Sequence, residues 1–173
     1  MNLLIKLTRP EISLCKQAAS MRWQLSRVAG VFNQRKDKRS DEEVDYLGIR
    51  AEAAVAKAYG LEHHPTMIGI DDGADLFDGD TTIDVKSTWH SEGRLLIKSK
   101  EAARADVFVL VTDTPQDDVM NILGWTTRQK FLDEAEETDF DNRGVCFTMK
   151  QDRLYQPAQL WLHLTKKKYG AAA

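Results

Sequence analysis

Residues 73–88 read GADLFDGDTTIDVKST, and how this stretch folds back on itself decides the fold. Ile83 and Val85 alternate with Thr82, Asp84 and Lys86 at the period of a β-strand. Asp78-Gly79 is a strong two-residue hairpin signal. With those residues at the centre of the turn, Phe77 faces Asp80, Leu76 faces Thr81 and Asp75 faces Thr82. Asp75, Thr82, Asp84 and Lys86 then share one face, and Leu76, Ile83 and Val85 take the other, where a helix can cover them. Asp75 and Asp84 become diagonal neighbours, roughly 7–8 Å apart at the backbone. Carboxylates so placed repel unless a cation lies between them. The alternative is a hairpin whose charged face meets water, with Lys86 paired to one of the aspartates.

Upstream, SDEEVDYLGIRAEAAVAKAYG (residues 40–60) predicts a helix. Ser40 or Asp41 can cap its start, Glu42 and Glu43 suit its positive end, and Gly60 suits its stop. Val44, Leu47, Ala51, Val55 and Ala58 form its apolar face, with Glu52 about 80° from the centre of that face. The neighbours of Glu52 one turn away are Gly48 and Ala56, so no large side chain shields it. Earlier still, residues 2–7 suggest a strand. A helix over 11–31 follows Pro10, with Leu14, Ala18, Met21, Leu25 and Val28 at helical spacing.

Downstream, RLLIK suggests a strand, and DVFVLVTD is a continuous apolar run expected in the middle of a sheet, buried on both faces. VMNILGWTT adds a further strand. A helix at 127–137, a strand near 145–149 and a helix near 157–164 complete the reading. The expected class is α/β: a central mixed sheet flanked by helices. No repeat or linker interrupts the 173 residues, which read as one domain.

Composition narrows the partners. The chain is 42% hydrophobic and 29% charged, and no apolar run approaches the length of a membrane span, so no membrane partner is expected. The opening residues lack a secretory leader pattern. Two cysteines, Cys15 and Cys146, point to neither a disulfide framework nor a zinc cluster, and a reduced, cytoplasmic setting follows. The net charge of −3 is segregated. Arg22, Arg27, Arg35, Lys36, Lys38 and Arg39 face a single acid, Asp37, while Lys166–Lys168 close the chain and acids gather at 113–118 and 133–141. Such segregation allows a local positive footprint on an acidic protein.

Glu52, then Asp75, then Asp84-Val85-Lys86 resembles the PD-(D/E)xK nuclease superfamily, with its restriction-endonuclease-like fold. GIRAEAAVAKAYG is similar to the glutamate helix of the Holliday-junction-resolvase-like branch. The resemblance spans about residues 40–112 and leaves 1–39, a basic helical extension, and 113–173 outside it. Ala74 stands where the name-giving proline would be. The resemblance implies a metal-dependent endonuclease acting on DNA, with preference for structures such as junctions or flaps. It also implies catalytic roles for Glu52, Asp75, Asp84 and Lys86. Asp75, Asp84, the Val85 carbonyl and Glu52 would hold Mg2+, for which Mn2+ could substitute. Arg35, Lys36, Lys38 and Arg39 would contact DNA phosphates, and the tail would complete the sheet or support a homodimer. The alternative is a catalytically inactive DNA-binding or structural module on the same fold.

Other candidates carry less. His63-His64 lacks further ligands at metal-site spacing. His90, Lys98 and Lys100 could approach DNA or simply meet solvent. Trp89, Trp125 and Trp161 are expected to pack, since no aromatic–basic interleaving marks a stacking platform.

Overall fold

The computed structural model describes residues 2–28, 39–65, 73–139 and 144–170. In chain order the elements are β1 (Leu3–Lys6), α1 (Arg9–Val28), α2 (Asp41–Tyr59), β2 (Leu76–Asp78), β3 (Thr81–Thr88), β4 (Leu95–Ile97), β5 (Val107–Asp113), β6 (Val119–Thr127), α3 (Arg128–Glu134), β7 (Glu136–Asp139), β8 (Val145–Met149) and α4 (Pro157–Gly170). Five strands form a mixed sheet in the order β1-β6-β5-β3-β2. β3 and β5 run parallel; the remaining pairs are antiparallel. A second sheet has the order β4-β8-β7. The protein is therefore mixed α/β, with helices and a small sheet packed about a central mixed sheet.

β5 occupies the middle of the five strands, and Val107 through Thr112 are all buried. Alternation along it feeds two cores. Val107, Val109 and Val111 join Ile83, Val85 and the helical residues Leu47, Val55 and Leu160. Phe108 and Leu110 join Leu95, Ile97, Met149 and Phe131 on the other side. Asp84 and Lys86 lie beside Phe108 and Leu110 in the β3–β5 register, so they belong to the second face.

α2 begins and ends where its sequence indicates. Ser40 accepts from the Glu43 N–H while the Glu43 carboxylate reaches back to the Ser40 N–H, a reciprocal capping box. Gly60 closes the helix with φ 67°, a left-handed conformation that glycine adopts without penalty. Gly48 serves no such purpose, since a methyl placed there would meet nothing within 4 Å. Gly48→Ala should therefore stabilise the free protein by about 0.5–1 kcal/mol, read from its urea midpoint. A destabilised variant would show that the glycine has a packing role.

α1 departs from expectation in the face it buries. Cys15, Ala18 and Ala19 are buried, whereas Leu14, Met21, Leu25 and Val28 are 42%, 41%, 43% and 87% exposed. Small residues let α1 lie close against α2, near enough for the Cys15 thiol to point at the Ile49 carbonyl at 3.9 Å. The bulky stripe is thereby left outside; the helix is described as far as Val28, and the remainder of the expected 11–31 span lies outside the described residues.

The hairpin differs too. Asp78 pairs with Thr81, Phe77 with Thr82 and Leu76 with Ile83, so Gly79-Asp80, not Asp78-Gly79, forms the turn. Gly79 supplies the positive φ, 57°. Every partner moves by two residues, which preserves the side of each β3 residue because strand side chains alternate with period two. The expected helix at 127–137 stops at Glu134, and the acidic residues Glu136–Asp139 instead pair with β8 as an edge strand. Thr138 and Thr148 hydroxyls meet across that pair at 3.0 Å. Trp125 packs as expected, but Trp161 is 56% exposed on α4. No helix among the described residues is long and apolar enough to cross a membrane.

Candidate active site

The β2–β3 ladder ends at Leu76, and Asp75 continues it by a different means. Its N–H donates to the Ile83 carbonyl at 2.9 Å, and its carboxylate Oδ2 accepts from the Val85 N–H at 2.7 Å. A side-chain oxygen thus takes the place of the next backbone acceptor. This puts the Asp75 carboxylate at the sheet edge, in position to interact with groups from both faces. Asp84 and Lys86 come from one face, joined by a 2.7 Å ion pair, with Asp84 buried. Glu52 comes from the other, on α2, and is also buried. The diagonal Asp75–Asp84 relation expected from the turn is accordingly replaced by this edge position.

Electrostatics report the crowding. The Asp75 carboxyl is pushed up to about 7, first by loss of surrounding water and then by the carboxylates of Glu52 and Asp84. The Val85 N–H and Lys86 pull the other way. Asp75 is nonetheless exposed as a residue, so water screens part of the effect. Like-charge crowding is the cause that the fold itself enforces.

The sign of the pH dependence follows. The folded value of about 7 lies above the ordinary value of 3.8, so the folded state holds the Asp75 proton more tightly. This group's contribution to stability is full at low pH and is lost as pH rises toward about 7. In EDTA, Asp75→Asn should raise the Tm at pH 8 and narrow the difference in Tm between pH 5 and pH 8. Melting curves with an unchanged difference would remove Asp75 as its source.

Two partners of Glu52 escape sequence reasoning. Arg22 on α1 donates through Nη1 and Nη2 to the two Glu52 oxygens at 3.3 and 3.4 Å. His63 Nε2 lies 3.2 Å from Glu52 Oε2. Sequence distance hides both contacts, because only the packing of α1 on α2 and the return of the chain after Gly60 create them. Among the described residues, no three His, Cys, Asp or Glu side chains form a ready-made metal cage.

Of the expected DNA contacts, Arg35, Lys36 and Lys38 lie outside the described residues. Arg39 stacks its guanidinium 4.3 Å from the centre of the Trp89 ring, just beyond β3. Lys100 lies over the Phe147 ring, and Lys98 is exposed. Burial pushes the Cys15 thiol up to about 11, so it is no candidate nucleophile.

Comparison with protein-family models, curated proteins and solved structures returns no match to this chain. The functional reading therefore rests on the site itself.

Proposed function

We propose that this chain is a metal-dependent nuclease of the restriction-endonuclease-like fold, hydrolysing DNA phosphodiester bonds. The observation that carries this reading is the convergence of Glu52, Asp75 and Asp84 at the sheet edge, where burial first and then the two neighbouring carboxylates raise the Asp75 pKa, with Lys86 2.7 Å from Asp84. Surplus negative charge of this kind suits a hard divalent cation. Magnesium keeps several waters and takes only one or two carboxylates, so Asp75 and Asp84 suffice without a full protein cage. The Val85 carbonyl is a third donor: its N–H faces Asp75, and in an extended strand the carbonyl of a residue points to the same side. Mg2+ or Mn2+ held there would neutralise phosphate charge and lower the pKa of a bound water.

The chain's own residues have distinct tasks. Lys86 stabilises the charge that builds on the phosphate in the transition state. Glu52, braced by Arg22 and His63, offers a further carboxylate for a bound water or a second ion. Arg39 stacks on Trp89 beside the end of β3 and, with Arg35, Lys36 and Lys38 of the same basic segment, would contact phosphates.

The test is a panel of labelled DNAs (duplex, single strand, flap and four-way junction) with and without magnesium or manganese. Metal-dependent cleavage of at least one member is expected. DNA binding with every member left intact would favour a non-catalytic binding module. That second reading draws support from the ion pairs Arg22–Glu52 and Lys86–Asp84, which balance charge within the chain.

A further inference from the structure

We propose that Arg22, supplied by α1 from outside the motif, is a substrate-phosphate ligand that rests on Glu52 in the free protein. The inference rests on the nuclease reading and extends it to a residue that no motif marks.

Four observations converge on it. The Arg22–Glu52 contacts, at 3.3 and 3.4 Å, are longer than the roughly 2.7–2.9 Å of a firm charge-assisted hydrogen bond. Lys86–Asp84 at 2.7 Å and Arg50, which holds the Asp117 carbonyl at 2.7 Å, show that the same fold makes firm contacts elsewhere. The Arg22 side chain is 36% exposed whereas that of Glu52 is 8%, so Arg22 is the solvent-facing member of the pair. His63 contacts Glu52 independently, which leaves the carboxylate partnered when Arg22 turns away. Finally, Gly48, one helical turn before Glu52, leaves open space on that side of α2.

Charge points the same way. Glu52, Asp75 and Asp84 oppose an approaching phosphate, and among the described residues Arg22 contacts Glu52 and Lys86 contacts Asp84. Lys86 presents a point charge. A guanidinium presents a planar fork that matches two non-bridging phosphate oxygens. Arg22 would therefore exchange one bidentate anion, the Glu52 carboxylate, for another on the DNA backbone.

Duplex DNA binding is measured by fluorescence anisotropy in EDTA over a range of salt. To keep the loss of the Arg22–Glu52 ion pair itself out of the measurement, the comparison is between Glu52→Gln and the double variant Arg22→Gln/Glu52→Gln, both checked for folding by melting. Relative to Glu52→Gln, the double variant should bind several-fold more weakly, and its plot of log affinity against log salt should be shallower by about 0.9, one phosphate contact. Arg22→Lys should keep that slope but lose kcat/KM in magnesium. Equal slopes and affinities for Glu52→Gln and the double variant would overturn the proposal and leave Arg22 an ion-pair partner only. If the wild-type protein itself shows no salt-dependent binding, the nuclease reading fails and the role of Arg22 falls with it.

Discussion

Asp84→Asn is expected to abolish metal-dependent cleavage while leaving DNA binding intact or tighter. Asparagine keeps the shape of a side chain that is only 9% exposed, so the β3 backbone has no reason to move. It removes one of the two carboxylates assigned to the cation, and Mn2+ affinity measured by calorimetry should fall together with cleavage. It also removes a negative charge that repels the approaching phosphate. Lys86→Ala should separate these effects. Metal binding persists, but a cation that stabilises the transition state is lost, at a typical cost of about 10²–10³ in rate. Wild-type cleavage by Asp84→Asn would end the assignment of the site.

The largest effect on stability is expected at Phe131. This residue and Phe108 are fully buried, with ring centres 5.7 Å apart, and together they join α3 to the face of the central sheet. Phe131→Ala should cost about 3–5 kcal/mol in urea unfolding, against the roughly 5–15 kcal/mol that holds a typical domain folded. The site should feel the loss. Phe108 is the register partner of Asp84 across β3 and β5, so a cavity beside Phe108 loosens the strand that presents Asp84 and Lys86. A midpoint shift worth less than about 1 kcal/mol would mean that the second layer closes over the gap.

Local signals in the sequence proved reliable where one element satisfies itself. The cap at the start of α2, read as Ser40 or Asp41 and found at Ser40, the stop at Gly60 and the buried run of β5 are each settled within a few residues. The hairpin turn was misjudged by one residue, which displaces every cross-strand partner by two, and Asp84 and Lys86 kept their face because that displacement is even. Where the answer depends on a distant partner, periodicity misleads. Leu14, Met21, Leu25 and Val28 have ideal helical spacing, but α1 buries its small residues because α2 lies so close. Glu136–Asp139 looks like solvated acid and becomes a strand because β8 offers it an open edge. Arg22 and His63 were invisible as neighbours of Glu52 for the same reason.

The pairing of β1 with β6 carries a consequence for how the molecule comes into being. Leu3 lies opposite Ile122, so β1 must wait for a strand synthesised much later before it can be seated. Loop-closure entropy must be overcome before that contact returns any free energy. The α2–hairpin–β5 region, whose neighbours are closer in sequence, can assemble first and offer β6 a template. Completion of this sheet should then end with β1, so that synthesis and sheet completion run in opposite directions between β1 and β6.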